Sequence, residues 1–566
     1  MTVVKMEEIS EVLEKVSNAK ILTLDTETYW DSTKLLGIGI CLDSTTSFYL
    51  PFGHEFALNL GEENLPMDVI GRLGTAIGNK PVIFHNAKFD LRVLREAGLR
   101  LETNTIHCTM LMSYYKDEYP PHGLEDLGLR DVAMTSKGDW LVKMDKMKKA
   151  GLAWHEIPPL LMGPYCESDT RITRALFDTY LPELGEWVNP EYYASQVMFG
   201  VNVLGAMEQR GILVDRNACQ LYAEQCDQRM QEIRGQLGFD PSSRIQLARK
   251  LFSDVPVGLG LPVRSWGKPH SRSGQRQPTM NDEVLSTYSH PVVALVREFR
   301  QLQKQLSAFL LPWHAKSATD GKLHPTFKQH GTVTGRLSCE NPNMQQIPRG
   351  SYLQDVFTAP PGYSLYEFDY SQQEYRLAAA YAQDPKITER LVAGDDFHSI
   401  VADQLGIDRQ LAKIVNFLIL YGGGVERLAD QLNISWTAAR TFLDNYHETY
   451  PRLKQVASKA ESAAAAQGKV KYWSDRYRKF KWPSEYRKAF NSVIQGGCAD
   501  ITRQSLTILH HEGYEIVNQV HDAAWILLPN GSSEVPHIQS LMSDWCLETF
   551  GVPFPVDVKL KSVNNG

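Results

Sequence analysis

Eight cysteines are all that the 566 residues contain, at positions 41, 108, 166, 219, 226, 339, 498 and 546, and none forms a CxxC pair. Histidines do not cluster either. A disulfide framework and a structural zinc site are therefore not expected, and the thiols read as reduced ones of a cytoplasmic protein. No apolar run approaches the length of a membrane span, and the opening MTVVKMEEISEVLEKVSNAK is charged and amphipathic, unlike a signal peptide. An excess of positive charge is missing too. The net charge of -7 excludes a uniformly basic nucleic-acid binder but leaves room for local basic stripes. The length exceeds what one ordinary core serves, so two or more domains are expected.

What is present is a series of acids at strand and helix ends. SLYEFDYSQQEYR, 364–376, reads as a strand from Leu365 to Phe368 that ends on Asp369, with a helix beginning near Gln372. An acid on a strand tip is held rigidly and faces a cleft. That suits a cation, which needs fixed hard oxygen donors and an open side for phosphates. YEIVNQVHDAAWILLP reads as two strands joined at His521 and Asp522, a turn that can set Asp522 beside Asp369. Near the start, AKILTLDTETYW puts Asp25 and Glu27 two apart on a strand, hence on one face. PVIFHNAKFDLRVL gives a buried strand, then a helix carrying Asp90, and YCESDTRITRAL sets Tyr165 and Asp169 one helical turn apart. Taken singly, each pattern also fits a solvated strand end, an N-cap or an acid serving a helix dipole.

In RQLAKIVNFLILYGGG, Arg409, Lys413, Phe417 and Tyr421 recur every four residues and share a slowly drifting helix face. Cations followed by aromatics suit a nucleotide, triphosphate on the former and base against the latter. A helix with a solvated basic end and a buried aromatic end explains the same pattern. The basic run Lys469 to Lys488, interleaved with Tyr472, Trp473, Tyr477, Phe480 and Trp482, reads as a DNA track on which Arg476 and Arg478 contact phosphates. In the middle of the chain, helical spacing covers 192–211 and 286–310. The polar, basic stretch 264–278 fits a mobile loop or a phosphate-contacting tip equally well. Residues 331–348 lack periodicity and read as an extended connector carrying Arg336.

Together the motifs are specific. D-x-E, N-x-x-F-D and Y-x-x-x-D, in that order, resemble the three motifs of DEDDy exonucleases. DYSQQEYR, R-x3-K-x3-F-x3-YG and QVHD resemble motifs A, B and C of family A DNA polymerases, and TGRLS and RKAFNSVIQG fit as well. The resemblance covers nearly the whole chain, without a 5′ nuclease domain, in a layout similar to bacteriophage replicative enzymes. It implies a multidomain α/β and α+β fold: a ribonuclease H-like exonuclease domain over about 1–185, then a right-hand polymerase over about 186–566. Within the latter it implies a thumb over about 190–330, a palm over about 331–395 and 490–566, and fingers over about 396–489.

By resemblance, Asp369, Asp522 and the Tyr370 carbonyl hold two Mg²⁺ ions in one site. Asp25, Glu27, Asp90 and Asp169 hold two in the other, with Tyr165 orienting a water, and Mn²⁺ can take the place of Mg²⁺. Arg409, Lys413 and His398 bind the triphosphate, and Lys413 protonates the leaving group. Phe417, Tyr421, Glu374 and Gln372 surround the nucleotide. Arg336, Arg487, Asn491, Gln495 and His521 line the primer and template. The implied partners are primer-template DNA, dNTPs and a replication helicase, primase or processivity factor. The implied setting is a monomer in the cytoplasm, the host's if the chain is phage-encoded. Three departures stand out: Ala523 where an acid usually follows motif C, Gln373 and Tyr375 at usually apolar positions, and an altered segment around Arg349. Two rival readings remain, a single-subunit RNA polymerase and a DNA-binding protein without catalysis.

Overall fold

Two larger sheets organise the chain, and each grows from a run whose apolar residues pack away from its acids. In the first, Leu22–Thr28 (β1) pairs antiparallel with Leu35–Cys41 (β2), which pairs with Ser47–Pro51 (β3). On its other side β1 runs parallel to Val82–Phe84 (β4), followed by Ile106–Cys108 (β5). The order is β3-β2-β1-β4-β5. Three helices complete this part: Ala87–Glu96 (α1), Thr109–Lys116 (α2) and Pro159–Tyr180 (α3). Its apolar core gathers residues from Val4 to Val201 and is separate from the core between Phe199 and Val556. The computed structural model describes all residues except 1–2, 30–31, 56–62, 102, 120, 136–137, 270–273, 349–350 and 566.

The second sheet is antiparallel and has Tyr363–Tyr370 (β6) between two partners. Glu515–Val520 (β7) and Ala523–Pro529 (β8) form a hairpin on one side, and Val556–Val563 (β9) pairs on the other. β6 continues past Phe368, where local apolar pattern alone would end it, because Tyr370 pairs with Val556 from the far end of the chain. In helix Gln373–Ala382 (α4), Gln372 takes the N-cap in a left-handed conformation, φ 55°. Phe397–Leu405 (α5) and Arg409–Leu420 (α6) each begin on an aspartate N-cap, Asp396 and Asp408, whose side chain accepts backbone N–H bonds. Ala489–His511 (α7) is long and buried along much of its length.

Three middle segments differ from the sequence reading. The 286–310 helix begins at Pro291, where the fixed φ of proline suits a first helical position, and widens into a π-type stretch over Gln305–Leu310. The 331–348 connector contains the strand Ser338–Glu340, paired with Thr326–Lys328, which lies just before it in the chain. The ends of the 264–278 stretch are tied by backbone bonds from Gly267 to Gln277 (2.8 Å) and from Thr279 to Ser265 (2.9 Å). Its tip at 270–273 lies outside the described residues, as does Arg349. The eight cysteines are free and buried.

Candidate active sites

Across the second sheet, Asp369 of β6 stands opposite Ala523 of β8 and Asp557 of β9. Directly opposed residues share a face, so these three form one row, and the turn that precedes Ala523 brings Asp522 to the same edge. That turn is made by His521 in a left-handed conformation, φ 57°. Asp369, Asp522 and Asp557 line an open cleft of about 450 Å³ whose opposite wall is the predicted face of α6: Arg409, Lys413, Phe417 and Tyr421. Asp557 is missed by the sequence reading because only strand pairing reveals it. Carboxylates of this kind, hard oxygen donors on a rigid sheet with open space beside them, fit divalent cations.

The cleft wall is built by further contacts. Arg409 is paired with Asp396 (3.1 Å). Gln372 donates to Asp396 (3.1 Å) and accepts from the Phe397 N–H (2.9 Å), so both ends of its amide strap α5 in place. His398 on α5 is buried, and Tyr446 orients it through Asn416. Tyr446 donates to Asn416 Oδ1 (3.0 Å), which leaves the amide of Asn416 to donate to His398 Nδ1 (3.1 Å) and the ring proton on Nε2. Burial, reinforced by Arg409 and Lys413, depresses the His398 pKa to about 4. Glu374 is ion-paired with Arg336 and accepts from the Tyr421 hydroxyl (3.0 Å). Burial nevertheless holds its carboxyl above the usual value. Phe417 stacks on Tyr421, with ring centroids 6.0 Å apart, and meets Tyr375 edge-on at 5.4 Å. Tyr375, unusual by motif, thus becomes part of this aromatic wall. Asn491 and Gln495 are half-buried on α7, while Arg487 and His521 are exposed.

In the first part of the chain, Asp25 and Glu27 project together from β1, and α3 crosses that strand with Tyr165, Cys166 and Asp169. Asp90 on α1 is fixed by Thr26, which donates from its N–H (3.0 Å) and its hydroxyl (2.8 Å). Burial, with Asp90 nearby, holds the Asp25 carboxyl well above the ordinary range. Glu27 is raised likewise, by burial and then by Asp25 and Asp169. Burial brings Asp90 to about 7. Such mutually repelling, desolvated carboxylates fit bound cations, which would neutralise them. Donor atoms of Asp25, Glu27 and Cys166 lie within 4.8 Å of one another. The Tyr165 ring meets Trp154 edge-on at 6.4 Å, and Lys148 lies over Trp154 at 3.6 Å. Neither Cys166, Trp154 nor Lys148 carried a sequence signal, because only packing of the 139–156 segment and α3 against β1 assembles them.

The expected DNA track is overturned at two positions. Arg476 is 1% exposed and paired with Asp500 (2.8 Å), its guanidinium also bonding the Thr334 and Gly496 carbonyls. Gly335 and Gly496 make room for it, since a Cβ on either would come within 2.8 Å of the guanidinium. Arg478 is 3% exposed, 3.6 Å from Glu118, and donates to the Tyr119 hydroxyl (2.8 Å). Beside it Lys479 caps the C-terminal end of α2, donating to the carbonyls of Tyr115 (2.8 Å) and Lys116. Arg478 and Lys479 are thus turned onto the first part of the chain as a joint, and Arg476 onto Asp500, whereas Lys471, Lys481, Arg487 and Lys488 remain exposed.

The family model described as "DNA polymerase family A" matches residues 216–564, and that described as "3'-5' exonuclease" matches residues 1–184. DNA polymerase I of Synechocystis sp. is 29% identical, over 98% of this chain and 61% of the relative. DNA polymerase DpoZ of Salmonella phage PMBT28 is 23% identical, over 97% of this chain and 96% of the relative. Among solved structures, the POL domain of Pol1 from M. smegmatis, in complex with DNA primer-template and dNTP, matches with a TM-score of 0.79 at 20% identity, covering 99% of this chain and 98% of that one. The chain spans about three fifths of the length of the DNA polymerase I of Synechocystis sp. and of Chloroflexus aurantiacus.

Proposed function

The chain belongs to DNA polymerase family A and begins with a 3′-5′ exonuclease domain, and from that premise we propose that it extends a DNA primer from dNTPs and trims mispaired 3′ ends at a second site. The observation that carries this reading is the cleft with Asp369 and Asp522 on one wall and Lys413, Arg409 and His398 on the other. Its volume of about 450 Å³ suits a small-molecule ligand such as a nucleoside triphosphate, and its two walls differ in sign. Asp369, Asp522 and the Tyr370 carbonyl would hold two Mg²⁺ ions there; Asp25, Glu27, Asp90 and Asp169 would hold two in the exonuclease site, with Mn²⁺ an alternative. Bound ions in such sites acidify the attacking oxygen and stabilise the departing one.

The protein's own groups do the rest. Lys413 and Arg409 neutralise the triphosphate, and the Nε2–H of His398 donates to it as a neutral group. Lys413 supplies the proton to the leaving pyrophosphate. Phe417 and Tyr421 take the base and sugar, and Glu374 closes the space beside the 2′ carbon. Gln372 acts by strapping α5. Arg336, Arg487, Asn491, Gln495 and His521 contact primer and template. Tyr165 orients the water that attacks the 3′-terminal phosphodiester. The palm, fingers and thumb divisions, and work beside a helicase, primase or processivity factor, belong to the same reading. No helix among the described residues is long and apolar enough to cross a membrane.

Template-directed primer extension with each dNTP, and with rNTPs in parallel, tests it. Extension that follows the template and rejects rNTPs supports the reading. Unprimed synthesis from rNTPs would favour an RNA polymerase, and no synthesis by folded protein would favour a DNA-binding role.

A further inference from the structure

We propose that Cys166 is itself a ligand in the exonuclease site, giving that site an Asp25–Glu27–Cys166 face that takes a thiophilic divalent cation, Zn²⁺ in the first instance. The inference rests on the exonuclease reading of Asp25 and Glu27 and adds to it a donor outside the carboxylate set. Cys166 follows Tyr165 on α3 and stands one turn before Asp169, so the helix aims all three side chains toward β1. The thiol is fully buried, and its sulfur lies 3.3 Å from Asp25 Oδ2.

The space for that sulfur is provided by the strand next door. Gly39 of β2 is the register partner of Asp25, and a Cβ there would come within 2.6 Å of Cys166 Sγ. The missing side chain leaves a cradle directly beside the carboxylate. Metal–sulfur and metal–oxygen bonds of about 2.3 and 2.1 Å, at angles between octahedral and tetrahedral, put the two donor atoms roughly 3.1 to 3.6 Å apart. The observed Cys166–Asp25 separation falls inside that interval, and Glu27 offers a third donor within 4.8 Å of the other two. Two carboxylates alone are hard donors suited to Mg²⁺, whereas an added thiolate shifts preference toward Zn²⁺. On binding, the S–H bond breaks, its proton leaves to solvent, and the sulfur forms a bond to the metal in place of a metal-bound water. The open polymerase cleft presents carboxylates but no thiol among its described lining residues, and Cys498 lines only the smaller pocket beside it, with Asp522.

The experiment titrates full-length protein with Co²⁺, a spectroscopic stand-in for Zn²⁺, and then displaces it with Zn²⁺. Wild type should develop the near-ultraviolet sulfur-to-cobalt charge-transfer band. Cys166→Ala, shown to be folded by its melting curve, should keep cobalt binding, lose the band and bind Zn²⁺ roughly tenfold to a hundredfold more weakly. The seven remaining cysteines serve as the internal control. A wild type without the band, or a Cys166→Ala variant that retains it, overturns the proposal and leaves the thiol as a hydrogen-bond donor to Asp25. Asp25→Ala with Glu27→Ala separates the two levels of the argument. If that variant keeps both the band and full cobalt affinity, the metal is elsewhere and the exonuclease reading of β1 falls together with the proposal.

Discussion

Arg478 and Glu118 lie 3.6 Å apart, both almost wholly buried, although one belongs to the polymerase half and the other to the exonuclease domain. A pair with so little water around it is a joint and cannot reach a phosphate. Arg478→Ala should weaken that joint at a cost on the order of 3 kcal/mol, because it strands a buried carboxylate. The loss should appear as a lower melting temperature and faster protease cleavage between the two parts. The slope of DNA affinity against salt should stay as in wild type. A slope lower by about one unit would restore the phosphate-contact role.

Sugar selection should depend on Glu374 and Phe417. Arg336 and Tyr421 hold the Glu374 carboxylate from two sides, so a ribose 2′ hydroxyl would meet a side chain that cannot swing away. Glu374→Ala should raise ribonucleotide incorporation by roughly tenfold to a hundredfold, the value of about 1–3 kcal/mol of unfavourable polar burial. Phe417→Tyr should relax discrimination against dideoxynucleotides by supplying a hydroxyl near the sugar 3′ position. Both are measured in an Asp25→Ala, Glu27→Ala background so that excision does not mask incorporation. Unchanged preferences in both variants would mean that α6 does not hold the nucleotide.

His398 should remain neutral throughout the working pH range. Its folded pKa of about 4 lies below the unfolded value of about 6.5, so the stability linked to it is present above about 6.5 and is lost as pH falls toward about 4. His398→Gln should therefore melt with a shallower acid dependence between these limits. An imidazole NMR titration should show a midpoint near 4 with the proton on Nε2. A midpoint near the unperturbed value would contradict the buried, Asn416-oriented ring.

The carboxylates were legible in the sequence because each sits where local pattern is strong: Asp25 and Glu27 on one strand face, Asp369 at a strand tip, Asp522 in a hairpin turn. The α6 face was legible for the same reason, since a spacing of four fixes it. What depended on distant pairing was not. Asp557 joins the row of Asp369 only through the β6–β9 register. Asn416 and Tyr446 matter through a relay to His398, and Cys166 through a glycine on the neighbouring strand. The Lys469 to Lys488 run misled at Arg476 and Arg478 because a basic, aromatic stripe looks alike whether its counter-charges are phosphates or, as with Glu118 and Asp500, carboxylates brought from elsewhere in the fold.

The central claim is that one chain holds two separate chemistries, and a paired assay of extension and 3′ degradation on the same preparations tests it most directly. Asp369→Ala and Asp522→Ala should each abolish primer extension, by several orders of magnitude, while degradation of single-stranded 3′ ends continues at the wild-type rate. Asp25→Ala with Glu27→Ala should do the reverse. A folded Asp369→Ala protein that lost both activities, or kept extension, would contradict the account.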